Sequence, residues 1–287
     1  MKIYHYSVFA ASPGGGKQFA IVEGVDDPVD MQRIAASSGQ PLTGFILNAD
    51  SSTAEVRFFS PTKEKGSSDS GALVVGEHLR RAGVIGDRLV VNAGGEELEV
   101  FARGGNWWSN QGSTFQRPFD FAADALLEAL GLDEIDLEQV VLAGSTRLNI
   151  VVPIAFHNDQ LEEDTILDSI SPDFGAIAKI NQESKTNGVI VCSGLEPIAG
   201  EWVTRLRFFA PAKGIPEDNA GSFTVASLCG YFAGKGYQGR QQITFFQGSG
   251  KGGKFSRLYS QFEADDHVAK KNQVGGKVEL LEVTTWA

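Results

Sequence analysis

A seven-residue segment of this 287-residue chain occurs twice, and the recurrence limits the folds open to it more than any other feature. Arg57-Phe58-Phe59-Ser60-Pro61-Thr62-Lys63 returns 150 positions later as Arg207-Phe208-Phe209-Ala210-Pro211-Ala212-Lys213, with five of seven residues identical. The register continues without a gap: Asp69-Ser70-Gly71-Ala72 lies over Asn219-Ala220-Gly221-Ser222, and Val75 lies over Val225. In each copy an aromatic run reads as a strand, passes through Pro into a loop of small residues, and enters an apolar helix. Two strand–loop–helix units predict two pseudo-equivalent domains that set their matched loops face to face across a cleft. The function is expected there.

The rest of the pattern repeats in the same order. In the first half, Ile3–Phe9, Phe19–Val22, Gly44–Leu47, Ala54–Phe59, Leu89–Val91 and Leu98–Phe101 read as strands, with a short helix over Met31–Ser38. The helix Gly71–Ala82 ends at Gly83 and Gly86. In the second half, Leu148–Val152, Gly188–Cys192, Val203–Phe209, Gln242–Phe246, Phe255–Phe262 and Val278–Thr284 read as strands. Phe174–Asn181 and Gly221–Ala233 read as helices. Each half thus has several strands around one strongly apolar helix, which belongs inside a curled sheet and not on a wet surface. The expected class is α+β, in two domains: 1–117 and 118–287, divided where Arg117-Pro118 interrupts the pattern. Whether the last strand, Val278–Thr284, crosses back to the first domain stays open.

Charge and composition exclude several classes. A formal net charge of −11 argues against a nucleic-acid partner, which needs a concentrated basic face. No run approaches the roughly 18 apolar residues of a membrane span, and Met1–Tyr6 runs straight into a strand with no signal peptide. Two cysteines, Cys192 and Cys229, suggest no disulfide framework; a cytoplasmic location is expected. Gly248–Lys254 fits a G-x-x-x-x-G-K spacing, but Phe255 replaces the magnesium-holding Ser or Thr and a strand follows, so a hairpin loop is expected. Pro13–Lys17 is read in the same way. His5, His78, His157 and His267 share no metal-ligand spacing, and no metal site is expected. Trp107-Trp108 is read as core or strand.

The paired loops carry the chemistry. Gly66–Gly71 and Glu217–Ser222 are rich in small and helix-capping residues immediately before a helix. A helix start offers unpaired N–H groups and the positive end of a dipole. Two such ends would grip a small carboxylate, or stabilise enolate-like charge after proton abstraction. Asp69 and Asp218 are the candidate acid–base groups, with plain helix capping by the same two residues as the alternative.

These residues resemble the phenazine-biosynthesis PhzF-like family, relatives of diaminopimelate epimerase, over nearly the whole chain. The resemblance rests on Gly16–Val22, Gln32-Arg33-Ile34-Ala35, both copies of the repeated segment, Gly214-Ile215-Pro216-Glu217-Asp218, Gln247-Gly248 and Val274-Gly275-Gly276. It implies two similar domains, each a β-barrel around a central helix, and cofactor-free isomerase or epimerase chemistry on small carboxylates, often in a homodimer. The family's Ser-Glu-Thr element corresponds to Pro41-Leu42-Thr43, which sets Leu42 in the place of its Glu. Its Cys-Gly-His-Ala-Thr loop corresponds to Ser68–Ala72, with Ser70 in the place of the His. Asp218 matches the family Asp, and Phe223 stands against the family Ser, with Ser222 one place early. The cysteines of the epimerase relatives are replaced by Ser68 and, roughly, Asp218.

Two functions follow. One is a cofactor-independent isomerase or epimerase with Asp218 and Asp69 handling the proton, and Ser70, Gly71, Ala72, Gly221, Ser222, Leu42 and Phe223 lining the substrate. Leu42 and Phe223 would favour a ligand with an apolar body and one carboxylate. The other is a lapsed or diverged member that binds a small anion or a protein partner, because Leu42 cannot transfer protons.

Overall fold

Runs of alternating and continuous apolar residues build two compact units, and the computed structural model describes residues 1–12, 14–121, 123–132, 138–154, 160–249 and 255–286 of them. The first unit comprises Met1–Ala10, Gly14–Asn110 and Gly275–Ala287. Its strands are β1 (Lys2–Val8), β2 (Lys17–Glu23), β3 (Thr43–Ala49), β4 (Thr53–Phe59), the short β5 (Glu64–Lys65), β6 (Arg88–Ala93) and β7 (Glu96–Arg103). The start of β8 (Asn106–Pro118) and the whole of β17 (Val278–Thr285) complete it. β17 runs antiparallel to β1, from Lys2↔Thr285 to Val8↔Val278. The sheet proceeds β1–β2 antiparallel, β2–β3 parallel, β3–β4 antiparallel, β4–β6 parallel and β6–β7 antiparallel.

Strands covered on both faces read as continuous apolar runs, and β2 is one, with Phe19 through Val22 all buried. One face of the sheet packs on α1 (Pro28–Ser37) through Met31, Ile34 and Ala35, against Ile3, Ala20, Val22, Phe45 and Phe59. Asp27 caps α1, accepting from Val29 N and Asp30 N at 2.8 and 3.1 Å, with Pro28 in the first turn. The sheet wraps α2 (Asp69–Arg81), which is buried from Ser70 through Leu79 and touches β1, β2, β3, β6, β7 and β17.

Trp107 closes over α2 at Gly76, and its ring nitrogen donates to Glu77 Oε2 at 2.9 Å. A methyl at Gly76 would stand 2.6 Å from the indole Cζ3. Helix propensity alone favours Ala there by about 1 kcal/mol, but the hydrogen-bonded indole cannot retreat freely. Gly76→Ala is therefore expected to destabilise the chain by about 1–3 kcal/mol, read as a lowered denaturant midpoint.

Near the far end of α2, His78 is buried, with the Tyr6 hydroxyl 2.9 Å from Nδ1 and Glu23 Oε1 3.4 Å from Nε2. Burial holds the imidazole below its ordinary pKa of 6.5, and the Glu23 carboxylate offsets this only in part. The unfolded chain therefore binds more protons than the folded one as the pH falls below 6.5, and stability drops over that range. Thermal unfolding followed between about pH 7.5 and 5.5 is expected to fall less steeply in His78→Gln than in wild type.

The second unit comprises Ala11–Pro13 and Gln111–Val274. It holds the end of β8, then β9 (Val141–Gly144), β10 (Leu148–Pro153), β11 (Val189–Cys192), the short β12 (Glu196–Ile198), β13 (Glu201–Phe209), β14 (Gly239–Gln247), β15 (Ser256–Asp265) and β16 (Val268–Gly276). Pairing runs β9–β10 antiparallel, β10–β11 parallel, β11–β13 antiparallel, β13–β14 parallel and β14–β15 antiparallel, the same order of senses as in the first unit. β15 continues into β16, and β8 pairs both β16 and β9, closing eight strands into a barrel. Arg117 and Pro118 lie within β8, opposite Leu142 and Val141.

Inside runs α6 (Ser222–Gly234), buried at Ser222 and from Thr224 through Ala233, as its uniformly apolar sequence requires. Outside lie α3 (Ala123–Leu130), α4 (Gln160–Ser169) and α5 (Phe174–Ser184); α3 and α5 cover β10 and β11 through Leu126, Leu130, Ile177, Ile150 and Val189. Cys192 and Cys229 are buried thiols. Pro13, His157 and residues 250–254 of the glycine loop lie outside the described residues. Among the described residues no helix is long and apolar enough to cross a membrane, and no group of three or more His, Cys, Asp and Glu side chains could hold a metal ion.

Candidate active site

Both repeated segments lead into the N-terminus of a barrel helix, but the two helices start differently. In the first unit the N-cap of α2 is Ser68, whose hydroxyl accepts from Gly71 N at 3.1 Å, and the first helical bond runs from Ala72 N to Ser68 O at 2.8 Å. Asp69 is the first helical residue and half-buried, while Ser70, Gly71 and Ala72 are buried behind it. Gly71 is required there: a Cβ would lie 2.5 Å from the ring of Phe58. Leu42 stands in another segment, half-buried before β3, where its carbonyl accepts from Ala20 N at 3.0 Å.

In the second unit, β13 ends in Phe209 and a single 3₁₀ turn, Pro211–Lys213, returns the chain so that Asp218 N donates to Phe208 O at 3.0 Å. The helix begins only at Ser222, with Gly221 as N-cap and Val225 N→Gly221 O as its first bond at 3.1 Å. The 150-residue offset sets Ser222 over Ala72, so α6 lacks the first turn that α2 has. Asp218 therefore lies in an extended loop ahead of the helix, with Oδ1 accepting from Ala220 N at 3.3 Å.

Four expected residues thus gather at one end of α6. Asp218 and Phe223 are half-buried, Gly221 is the cap, and Ser222 is 3% exposed with no partner for its hydroxyl among the described residues. Asp69, Ser70, Gly71 and Ala72 gather likewise at the start of α2.

The plain-capping alternative for Asp69 and Asp218 needs correction. Ser68 is the N-cap in the first unit, and in the second the Gly221 N–H goes to the side chain of Gln247 at 3.1 Å. The reading missed Gln247 as a site residue, although it is fully buried at the end of β14; its signals were a polar residue closing an apolar strand and the Gln247-Gly248 pair that carries part of the resemblance. It also missed Arg147, on the hairpin between β9 and β10, whose guanidinium sits 5.4 Å from the Phe223 ring centroid. Nothing around Arg147 in the sequence sets it apart.

Comparison with known proteins agrees with this architecture. The family model for phenazine biosynthesis-like proteins (PhzC-PhzF) matches residues 6–65 and 118–281. An uncharacterized isomerase, YddE, of Escherichia coli K12 is 26% identical over 242 residues, covering 76% of this chain and 74% of that protein. Its counterpart in Salmonella typhimurium LT2 is 30% identical over 237 residues, with the same shares covered. The crystal structure of the Bacillus anthracis phenazine biosynthesis protein of the PhzF family superposes with a TM-score of 0.82 at 17% identity, over 99% of this chain and 98% of that one, and so shares its fold. The α+β architecture is of the diaminopimelate epimerase-like type, and the chain belongs to the phenazine biosynthesis-like PhzC-PhzF family.

Proposed function

We propose that this chain is an isomerase that moves a proton on a small carboxylate, with Asp218 as the proton-handling group. The isomerase names of the relatives support the reaction class. The observation that carries the rest is the open end of α6. The N–H groups of Ser222, Phe223 and Thr224 have no acceptor within the helix. The cap contributes no side chain of its own, and the buried Ser222 hydroxyl has no partner among the described residues. Arg147 adds positive charge beside Phe223. A substrate carboxylate seated there would satisfy these donors and meet the positive end of the helix dipole.

Chemistry follows from that seating. The carbon next to the bound carboxylate loses its proton to the Asp218 carboxylate, and the electron pair spreads onto the carboxylate oxygens. The same N–H donors stabilise that charge better than the ground state. Return of a proton to either face, or to a conjugated carbon, completes an epimerisation or isomerisation. Phe223, half-buried at the same helix start, favours a substrate with an apolar body.

One observation favours the non-catalytic reading: Leu42 offers only hydrocarbon where the family carries Glu. A single experiment separates the two. The protein is incubated in deuterium oxide with the proteinogenic L-amino acids and short unsaturated acids, which are then weighed by mass spectrometry. Deuterium entering one acid establishes proton transfer. Stabilisation by an acid in a thermal shift, without deuterium entry, establishes an anion-binding protein.

A further inference from the structure

The two helix starts use different residues for one task. Gly71 and Gly221 are counterparts under the 150-residue offset, and so are Ser68 and Asp218. In the first unit the Gly71 N–H is taken by Ser68 Oγ at 3.1 Å. In the second the Gly221 N–H is taken, at the same distance of 3.1 Å, by Oε1 of Gln247. The other end of that amide, Nε2, donates to Asp218 O at 2.6 Å.

Gln247 is the last residue of β14, and Ala93 is the last of β6. The strand pairings make these two counterparts: Val203 pairs with Thr244 and Thr53 with Val90, each three positions before the strand's end. Only the second unit, then, carries a side chain that can reach the helix start from this strand. One amide makes two hydrogen bonds to the loop, and the amide itself is fully buried, where an unmade bond is costly.

We infer that Gln247 is a positioning residue: it takes over the capping bond that position 218 would otherwise make, and so keeps the Asp218 carboxylate off the Gly221 N–H. Asp218 is poised to make that bond itself, since Oδ2 lies 3.4 Å from where a Gly221 Cβ would stand. Without the amide the carboxylate swings onto Gly221 N–H, as Ser68 does onto Gly71. The bond pattern stands apart from catalysis; its consequence for rate rests on the proposed function above.

The test uses the full-length chain, labelled with ¹⁵N-glycine, and reads exchange of the Gly221 amide with deuterium oxide by NMR. Wild type, Asp218→Ala and Gln247→Leu are each expected to keep the amide protected, the last because Asp218 takes over. The double variant is expected to lose about tenfold in protection. Loss of protection in Asp218→Ala alone would show that Asp218 is already the cap, and would overturn the assignment. Loss in Gln247→Leu alone would overturn the takeover.

Deuterium entry into the panel of acids supplies the second readout. Gln247→Leu is expected to slow it about tenfold or more with KM kept within about twofold, because the N–H donors of α6 remain. An unchanged rate would sink the positioning of Asp218 by Gln247 even if the amide pattern held. A wild-type chain that moves no deuterium overturns the isomerase reading and leaves the amide pattern to decide the capping role.

Discussion

Asp218→Asn is expected to slow deuterium entry into the substrate by about 10²- to 10⁴-fold, the usual worth of a general acid–base group. The substitution is close to isosteric. Asn keeps an oxygen to accept from Ala220 N, and the backbone anchors of position 218, to Phe208 and Gln247, do not involve the side chain. Thermal stability should therefore hold within about 1 kcal/mol, so that lost exchange reports lost proton transfer and not lost fold. Binding of the same acid should survive, because the donors of Ser222, Phe223 and Thr224 are untouched. A variant that exchanges at the wild-type rate would remove Asp218 from the mechanism and move attention to Asp69.

The second large effect is on stability, and the repeated segment makes it a comparison. Arg57 and Arg207 are counterparts, and each forms a two-pronged ion pair: Arg57 with Glu64 at 2.8 and 2.7 Å, Arg207 with Glu217 at 2.9 and 2.9 Å. The carboxylates come from different positions of the two loops, since Glu64 lies over Gly214 and Glu217 over Ser67, and the surroundings differ as well. The Arg57 and Glu64 side chains are 29% and 44% exposed, whereas those of Arg207 and Glu217 are 7% and 21% exposed. Arg207 also donates to the Leu167 and Ile170 carbonyls, each at 3.0 Å, and lies over Phe209. Water replaces the lost partner in the first case; in the second, a half-buried carboxylate and two carbonyls lose theirs together. Arg57→Ala should cost at most about 1 kcal/mol, and Arg207→Ala about 3–5 kcal/mol, read from denaturant midpoints. Equal losses would show that the shared sequence, and not burial, sets the energy.

Residues that announce their environment locally made most of the fold legible. The apolar runs of β1, β2 and α6, the Asp27-Pro28 start of α1 and the glycines after α2 each carry their own signal. β9 and β16 do not. Val141-Leu142-Ala143-Gly144 is too short to show a period, and Val268–Gly276 contains Lys270, Lys271, Asn272 and Gln273, a composition that reads as loop. Such strands are specified by their neighbours in a barrel, which alternating composition cannot report. The site shows the same limit. Asp218 was found because it precedes a helix, but which of Ser67, Ser68, Asp69 and Ser70 caps α2 shows only in the folded chain, where Ser68 Oγ accepts from Gly71 N. Gln247 acts on a loop 26 residues upstream of it, so only the folded chain brings them together.

The pairing of β17 with β1 has a consequence for synthesis. The second unit, Gln111–Val274 with Ala11–Pro13, has all its residues made before Gly275 is added. The first unit waits longer, because β1 meets its antiparallel neighbour only when Val278–Thr285 leaves the ribosome. Until then the outer edge of β1 is unpaired, a template for wrong partners. Nascent chains usually consolidate their N-terminal domain first; here the half whose translation begins first is the half completed last.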